Sequence, residues 1–299
     1  MDANNPPMLA LGLAAAVLAA FSPVHAQRVL EVPVRTGVGA DALATGPVAL
    51  FWNAASLGLP AGRGEALILD TRGPTPTGMA GLAVAGVYRL DDRTTLAAGF
   101  QHSGIEDIER TTTSPLPSGG AVAIDISENT FAAAVLRQLD GATSVGAAVR
   151  YTRVSELVGG DAVAAVGAGG RRAFRPRAGF RPVVAVGAFV DGDGADWLAG
   201  ASLDRPIGAD SAWSLAGEYG VRGSPRFEGI EHRVGMMGEL RERLRVGVGV
   251  AIEPGAEGRT VEPTGSVSLS ISRYVVGVVR EQLPNDLGAM HQFRLSVTF

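Results

Sequence analysis

Few residues of this 299-residue chain are of types that do chemistry, and they form no catalytic pattern. The chain has no cysteine, which excludes disulfides, thiolate metal sites and cysteine nucleophiles. Lysine is absent as well, which excludes Schiff-base and Ser-Lys mechanisms. His102, His232 and His291 are scattered, and we expect each within a strand or at a rim. We therefore predict a protein that is not an enzyme and needs neither metal nor cofactor.

Two segments imitate ligand-binding loops. Residues 191–196 (DGDGAD) begin like a calcium loop, but the twelfth position is Ser202 instead of the glutamate that closes such a loop. A hairpin turn is therefore favoured there. Residues 167–170 (GAGG) lack the spacing and the following helix of a dinucleotide site.

One stretch of the chain carries a cluster of arginines: Arg171, Arg172, Arg175, Arg177 and Arg181. The favoured interpretation is a solvated turn. The alternative is a surface that meets the phosphates of lipopolysaccharide or a protein partner. Over the whole chain the formal net charge is only -4, which argues against nucleic acid as a partner.

The N-terminal segment has the features of a signal peptide. Residues 8–21 (MLALGLAAAVLAAF) form an uncharged apolar run that is too short to span a bilayer comfortably. The tripeptide VHA then supplies a cleavage site between Ala26 and Gln27. The leading MDANNPPM departs from the pattern because it has an aspartate and no basic residue, so translation could start at Met8 or upstream. We expect export of the chain and removal of residues 1–26.

The last residues of the chain have the pattern of a strand with one apolar face, at a period of two. That face holds His291, Phe293, Leu295, Val297 and Phe299. Since chain ends usually fray, a patterned strand that runs to the final residue indicates an end paired into a sheet. The alternatives are a strand of a soluble β-domain and the closing strand of an outer-membrane barrel. In the barrel, Phe293, Leu295, Val297 and Phe299 would form the signal for the barrel assembly machinery.

The same alternation recurs along the mature chain in segments of about ten residues, as a tilted membrane strand requires. Strands of soluble sandwiches are usually nearer five or six residues. We expect about fourteen strands, an even number as single-chain barrels require. They begin near residues 64, 82, 94, 129, 143, 161, 182, 197, 211, 231, 243, 265, 274 and 289.

The connections between these segments alternate between short and long, which is the arrangement of outer-membrane barrels. Short turns lie at 91–92, 140–141, 205–210, 241–242 and 272–273. Longer links lie at 72–81, 103–128, 155–160, 221–230, 253–264 and 282–288. The chain end falls on the side of the short turns if residues 161–181 contribute one strand and a turn. The pattern predicts an all-β fold, a transmembrane antiparallel up-and-down β-barrel surrounded by outer-membrane lipids.

A segment without alternation precedes the first strand. In residues 37–62 (GVGADALATGPVALFWNAASLGLPAG), Thr45 or Gly46 could cap a short helix with Pro47 at its first position. A helix this short and apolar does not stand alone, so we expect it inside the lumen as a plug. The candidate ligand contacts of this plug are Phe51, Trp52, Asn53 and Leu57.

Two motifs resemble the FadL/PorV superfamily of outer-membrane proteins. Residues 39–46 (GADALATG) and 49–57 (ALFWNAASL) look like its N-terminal hatch, where a Gly- and Ala-rich lead precedes an aromatic-Trp/Tyr-Asn-Pro-Ala-Gly-Leu signature. Residues 283–299 (LPNDLGAMHQFRLSVTF) resemble the last hairpin of PorV-like proteins. Ala54 replaces the proline of the hatch signature. The resemblance implies a barrel of about fourteen strands with a lumenal hatch.

The resemblance also implies two alternative functions. FadL members pass hydrophobic molecules through the lumen to a lateral opening, whereas PorV members are non-enzymatic components of type IX secretion that carry or hold cargo. A conduit should have a dry pocket beside Phe51, Trp52 and Leu57 and a wall opening near the hatch. A secretion component should have a lumen filled by the hatch and should bind its partner on the loops 103–128 and 253–264. We favour the conduit for a hydrophobic ligand, with secretion or surface attachment as the alternative.

The expected organisation has three parts. A signal peptide (1–26) precedes the hatch segment (27–63), and an outer-membrane β-barrel (64–299) follows.

Overall fold

A computed structural model of the protein describes most of the chain after the signal-peptide segment. The described residues are 38–58, 62–74, 78–109, 123–155, 161–192, 194–208, 212–225, 229–255, 258–283 and 288–299. The expected cleavage site between Ala26 and Gln27 lies outside these residues, as does the start of the hatch segment. No helix in the described part of the chain is long and apolar enough to cross a membrane.

Fourteen antiparallel strands form a closed barrel in which β1 pairs with β14 and every other strand pairs with its neighbours in sequence. The strands are β1 (Gly64–Arg72), β2 (Met79–Arg89), β3 (Thr94–Glu109), β4 (Ala123–Gln138), β5 (Thr143–Ser155), β6 (Ala162–Ala173), β7 (Arg181–Asp191), β8 (Gly194–Ile207), β9 (Trp213–Gly223), β10 (Ile230–Leu240), β11 (Leu244–Gly255), β12 (Gly258–Ile271), β13 (Tyr274–Gln282) and β14 (Ala289–Thr298). The expected fold class and strand number are confirmed. The expected strand starts differ most from the structure at β4 and β12, which were expected near residues 129 and 265.

The expected long link 253–264 is wrong. β11 runs to Gly255 and β12 begins at Gly258, so the described residues of this range are strand at the end of a hairpin. Proline and glycine made the segment look like a loop in the sequence. Strand structure persists because β12 first pairs with β13 at Thr264, so its upper part has one free edge, where proline is tolerated.

Two uncertain segments fold as expected. Residues 161–181 contribute one strand, β6, and a turn in which Arg177 and Phe180 form an isolated bridge. Asp191 at the end of β7 pairs with Gly194 at the start of β8, so the two strands form the expected hairpin. As a result, the end of β14 lies on the same side as the turns after β2, β4, β6, β8, β10 and β12. We call this side periplasmic because short turns mark that side in outer-membrane barrels.

The two faces of the wall have opposite character. Outward side chains are large, apolar and exposed, as shown by Val166 (63%) and Val248 (62%). Inward side chains are small, polar or charged, for example Ala85, Ser144 and Glu281, which are all buried. An apolar outer face around a polar interior is the pattern of a barrel in lipid.

The hatch lies inside the barrel, but it is not the single helix that the sequence suggested. Three short 3₁₀ helices cover Asp41–Leu43, Gly46–Phe51 and Ala54–Ser56. Thr45 precedes the second helix, which has Pro47 in its first positions, but its side chain makes no capping hydrogen bond. Of the residues that precede the three helices, only Asn53 caps its helix with its side chain. Its Oδ1 accepts a hydrogen bond from the backbone N–H of Ala55 at 3.1 Å. The hatch is therefore a compact string of turns, held together by the wall around it.

Candidate functional site

Glycines on the inner wall allow the hatch to approach the strands closely. A Cβ added to Gly220 of β9 would lie 2.6 Å from the Cβ of Ala40, and one added to Gly235 of β10 would lie 2.6 Å from a methyl carbon of Val38. Both distances are below any real contact of this kind, so these positions have room only for glycine. The belt that faces the hatch consists of Gly99, Gly146, Gly169, Gly187, Gly200, Gly220, Gly235, Gly247 and Gly249.

Polar contacts tie the hatch to the wall at a few points. Glu218 of β9 accepts a hydrogen bond from the backbone N–H of Ala40 at 3.2 Å. Ser144 of β5 donates its hydroxyl to the carbonyl oxygen of Ala55 at 2.6 Å. The Nε atom of Arg233 in β10 lies 3.6 Å from a carboxylate oxygen of Asp41. The hatch is thus anchored at both of its ends and on opposite sides of the lumen.

Asn53 organises the hatch from within. Its Nδ2 donates to the carbonyl oxygen of Ala42 at 3.1 Å, and Ser56 donates to the same carbonyl at 3.2 Å. The Asn53 side chain is only 1% exposed and also touches Gly169 and Gly187 of the wall. Of the candidate hatch contacts, Asn53 therefore holds the first and third helices together.

The aromatic and aliphatic hatch residues are packed against the wall. Phe51, Trp52 and Leu57 are all buried and share one apolar cluster with Leu67 and Leu69 of β1. The space expected to be a dry pocket beside them is thus occupied by wall side chains. Whether they contact a ligand stays a prediction.

The apolar cluster around the hatch draws its wall residues from one side of the barrel. Among the described residues, every wall member of the cluster around the hatch belongs to a strand between β1 and β8. These members are Leu67, Leu69, Ala83, Ala85, Val87, Ala97, Ala132, Ala134, Leu136, Ala148, Ala185, Phe189 and Leu198. Most are alanines, so the wall is smooth where it meets the larger side chains of the hatch.

The opposite half of the lumen is rich in buried charge. On the extracellular side of the hatch, Arg233 contacts Glu231 and lies 3.6 Å from Glu281. Arg233, Glu231 and Glu281 are each no more than 7% exposed on their side chains. Glu262 is buried in the neighbouring strand β12. These side chains, together with Asp41, fill the lumen above the first hatch helix.

Two more arginines cover aromatic rings near the hatch. The guanidinium of Arg222 lies 5.3 Å from the ring centre of Trp52, and that of Arg150 lies 3.3 Å from the ring centre of Phe189. Both rings belong to the apolar cluster, so the stacked guanidinium groups lie at its border. A solute entering from outside therefore meets charge before it meets the apolar surface.

A cavity of about 610 Å³ lies on the periplasmic side of the hatch. Leu43 and Val48 of the hatch contribute to its lining. Its charged lining residues are Arg171, Arg181, Asp204, Glu218, Glu239, Arg241, Glu242, Arg245 and Arg294. Its size is that of a small-molecule site, although its polar lining is unusual for one.

The wall is continuous at the level of the hatch. Strand β3 pairs with β4 without interruption from Thr94 to Ile105, and the register shifts only beyond that point, between Ile105 and Ile108. Around Gly146 and Gly169, the pairing of β5 with β6 is also unbroken. In the described residues of these strands, inter-strand hydrogen bonds close the wall beside the hatch, so the opening that a conduit should have there is absent from these two seams.

Comparison with solved structures identifies the fold. The toluene transporter TbuX of Ralstonia pickettii superposes with a TM-score of 0.51 and 16% identity, over 92% of this chain and 98% of TbuX. The toluene transporter TodX of P. putida gives a TM-score of 0.51 and 13% identity, over 88% of this chain and 99% of TodX. This chain has the fold of the toluene transporters. No protein-family model and no curated protein sequence matches it.

The shared fold can be compared with the family resemblance and the location expected from the sequence. The fold that this chain shares with TbuX and TodX agrees with the barrel that the resemblance to the FadL/PorV superfamily implies, and the comparisons give the PorV alternative no support. Their fold also supports an outer-membrane location.

The other candidate residues have simple places in the toluene-transporter fold. His102, His232 and His291 lie on the outer wall towards the extracellular ends of β3, β10 and β14, as expected for rim residues. His102 contacts the side chain of Asn129 at 3.0 Å, and His232 contacts Tyr219 at 2.8 Å. In the described residues no group of three or more His, Asp or Glu side chains could hold a metal ion.

The arginine cluster of the sequence is divided by the barrel. Arg175 and Arg177 lie in the exposed periplasmic turn, as the favoured interpretation expected. Arg171 and Arg181 instead line the lumenal cavity, because they occupy inward positions of β6 and β7. The spacing between Gly169 and Arg171 could have predicted this inward position of Arg171, since residues two apart in a strand share a face.

Proposed function

We propose that the protein is an outer-membrane channel for small hydrophobic solutes, with a hatch that shifts to open the route. The observation that carries this proposal is the apolar cluster that hatch side chains form with wall side chains of strands between β1 and β8. Charge is present on this side as well, since Arg150 stacks on Phe189 and Gly46 packs against Glu65. The fold shared with two toluene transporters supports it.

The apolar half offers a surface that a hydrophobic solute would favour over water. Phe51, Trp52 and Leu57 face wall residues that are mostly alanine. Burial of apolar area stabilises by roughly 25 cal/mol per Å², so a solute can replace the contacts that the hatch gives up. Charged residues in the other half disfavour such a solute there. The route we propose therefore follows β1 to β8.

The structure of the hatch is suited to movement. Its 3₁₀ helices have poorer hydrogen-bond geometry than α-helices and depend on surrounding contacts. The hatch meets the wall mainly through van der Waals contacts against glycine and alanine. Segments with few hydrogen bonds to their surroundings open at lower free-energy cost than the strands of a sheet.

A direct test measures the passage of an apolar probe. The protein would be reconstituted in vesicles with lipopolysaccharide in the outer leaflet, and N-phenylnaphthylamine, which fluoresces on reaching phospholipid, would be added outside. We expect a faster rise of fluorescence than in protein-free vesicles. Equal rates with and without the protein would contradict the proposal.

A disulfide lock provides the matched control for hatch movement. A Cβ added at Gly200 would lie 3.3 Å from the Cβ of Ala42, close to the range of about 3.5–4.5 Å that a disulfide spans. It would also lie 2.8 Å from the Cβ of Ala40, so the Gly200→Cys single variant is needed to measure how far the new side chain itself displaces the hatch. Because the chain has no cysteine, Ala42→Cys with Gly200→Cys can form only this bond. We expect the oxidised lock to abolish probe entry and dithiothreitol to restore it, while each single variant behaves alike under both conditions. Undiminished entry through the oxidised lock would show that the hatch need not move.

A role in secretion has one structural point in its favour, the lumen filled by the hatch. The hairpin at residues 253–264 replaces one of the loops expected to bind a secretion partner, and the comparisons give that role no support. A closed lumen is equally the resting state expected of a channel with a movable hatch. We therefore propose the channel alone.

The proposal includes export through the N-terminal segment. We expect cleavage after Ala26, since that site follows the apolar core at the usual distance. Mass spectrometry of the protein extracted from outer membranes would show an N-terminus at Gln27. A mature chain that retains Ala26 would contradict the assignment.

A further inference from the structure

Arg171 is the feature of the periplasmic cavity that the proposed channel does not use. It lies two residues after Gly169, which touches Asn53 of the hatch, so its side chain emerges on the same inward face about 7 Å closer to the periplasm. Arg171 therefore lines the cavity directly below the hatch.

The surroundings of Arg171 contain no partner for its charge. Among the described residues, no carboxylate lies within ion-pair distance of its guanidinium, and its buried Nε atom has no hydrogen-bond partner. Arg241, the other cavity arginine without an ion pair, is exposed to solvent, whereas three further arginines of the cavity are paired. Arg181 lies 3.9 Å from Asp204, Arg245 contacts Glu239, and Arg294 lies 3.6 Å from Glu65. A half-buried guanidinium without a counter-charge is costly to maintain, which favours an anion at this position.

The remaining lining near Arg171 defines the rest of the ligand. Leu43 and Val48 of the hatch and Val183 of β7 contribute apolar surface to the same cavity. The planar fork of a guanidinium matches a carboxylate, with two parallel N–H donors. A phosphate dianion fits less well, since the neighbouring arginines are already paired with carboxylates.

We propose that the periplasmic cavity is a binding site for small organic carboxylates, with Arg171 pairing the carboxylate and the underside of the hatch contacting the apolar body. The volume of about 610 Å³ accommodates a single-ring acid. This site goes beyond the channel for neutral solutes and does not depend on it, because a carboxylate can pair with Arg171 whether or not the hatch moves.

Calorimetric titration of the full mature barrel in detergent tests this site with benzoate and its neutral isostere benzamide. We expect benzoate to bind and benzamide not to bind at the same concentrations. Arg171→Gln should weaken benzoate binding by about tenfold or more, as expected for the loss of a charge-assisted pair. The matched control is Arg172→Gln, because Arg172 is the next residue of β6 and is exposed on the outer wall. It should leave binding unchanged.

Three results would overturn the assignment: no benzoate binding by the unaltered protein, equal binding of benzamide, or unchanged binding by Arg171→Gln. The comparison of benzoate with benzamide requires no variant, so it decides the question even if Arg171→Gln fails to fold. Failure of the channel proposal would appear separately, as an absence of N-phenylnaphthylamine entry with benzoate binding intact.

Discussion

At the scale of single residues, Gly169 and Gly170 are neighbours in β6 with opposite surroundings. A Cβ on Gly169 would overlap the Asn53 side chain, whereas a Cβ on Gly170 would have its nearest neighbour at 3.9 Å. Asn53 cannot move aside easily because it is buried and bonded to Ala42 and Ala55.

We therefore expect Gly169→Ala to displace the hatch and to destabilise the protein by about 1–3 kcal/mol, the usual cost of overpacking. Gly170→Ala should change stability by less than about 0.5 kcal/mol. Urea unfolding in detergent and protease digestion of the hatch would measure both effects. A hatch that stays equally protected in Gly169→Ala would contradict the close-packed belt.

The sequence contains the belt glycines but does not reveal their purpose. Inward and outward glycines are alike in a strand pattern, since Gly169 and Gly170 differ only in the face that they occupy. The face could be assigned from alternation. The contact with Asn53 could not, because it depends on the path of the hatch across the lumen.

The periplasmic turn between β2 and β3 depends on one exposed carboxylate. Asp91 Oδ1 accepts hydrogen bonds from the backbone N–H groups of Arg93 at 2.7 Å and Thr94 at 2.8 Å. The Arg93 hydrogen bond and then the Thr94 side chain hold the pKa of Asp91 below its ordinary value of 3.8. Since the folded pKa is lowered, this stabilisation is complete above the unfolded pKa and is lost as the pH falls through the folded value.

Asp91→Ala should therefore lower the midpoint of urea unfolding at neutral pH. The difference in urea midpoint between Asp91→Ala and the unaltered protein should narrow as the pH is lowered below 3.8. Asp92→Ala is the control, because Asp92 is exposed and makes none of these turn hydrogen bonds. If the difference in urea midpoint stayed the same in acid, the charge of the Asp91 carboxylate would not be the cause of the stabilisation.

At the scale of elements, β10 contributes the main charged contact to the hatch. Arg233 contacts Glu231 in its own strand and lies 3.6 Å from both Asp41 of the hatch and Glu281 of β13. One buried cation thus serves three carboxylates, and removing it would leave negative charges close together.

We expect Arg233→Met to destabilise the barrel by about 3–5 kcal/mol, the usual effect of removing one partner from a buried ion pair. The first hatch helix should also become accessible to protease. Arg280→Met on the exposed face of β13 is the control and should have little effect. An unaltered unfolding midpoint in Arg233→Met would mean that the carboxylates are neutralised in another way.

The elements differ in how well the sequence predicted them. The strands were found from alternation, since residues such as Leu244, Val246 and Val248 mark one face throughout β11. The hatch was located correctly but given the wrong helix type. Its geometry is set by the wall, as when Gly46 packs against Glu65, and local sequence carries no record of such contacts.

At the scale of the whole molecule, the division of the lumen into an apolar and a charged half was not predictable. Every strand alternates in the same way, so alternation does not tell β2, with Ala83 and Ala85 inside, from β10, with Glu231 and Arg233 inside. Inspection of the inward residues shows the difference only once the strand order and the position of the hatch are known. Closure, in contrast, follows from the even strand number and the patterned C-terminus.

Closure of the barrel depends on the pairing of Phe299 with the start of β1. The carbonyl oxygen of Phe299 accepts from the N–H groups of Arg63 at 2.9 Å and Gly64 at 3.0 Å, and its own N–H donates to Gly64. The Phe299 ring lies over Gly64, where any Cβ would overlap it. Phe293 and Leu295 of the same strand, both part of the predicted assembly signal, are exposed on the outer wall.

The role of Phe299 in barrel closure can be tested separately from its predicted role as an assembly signal in cells. Gly64→Ala should impair folding both in cells and in detergent by displacing the ring, whereas Gly86→Ala in β2, with its nearest atom at 3.9 Å, should not. Phe299→Asp should lose most heat-modifiable folded protein in cells but less in detergent refolding, because the predicted assembly signal would be needed only in cells. Export should be intact in all three, as shown by cleavage of the signal segment. Normal accumulation of folded Phe299→Asp protein in outer membranes would show that the last strand closes the barrel without serving as that signal.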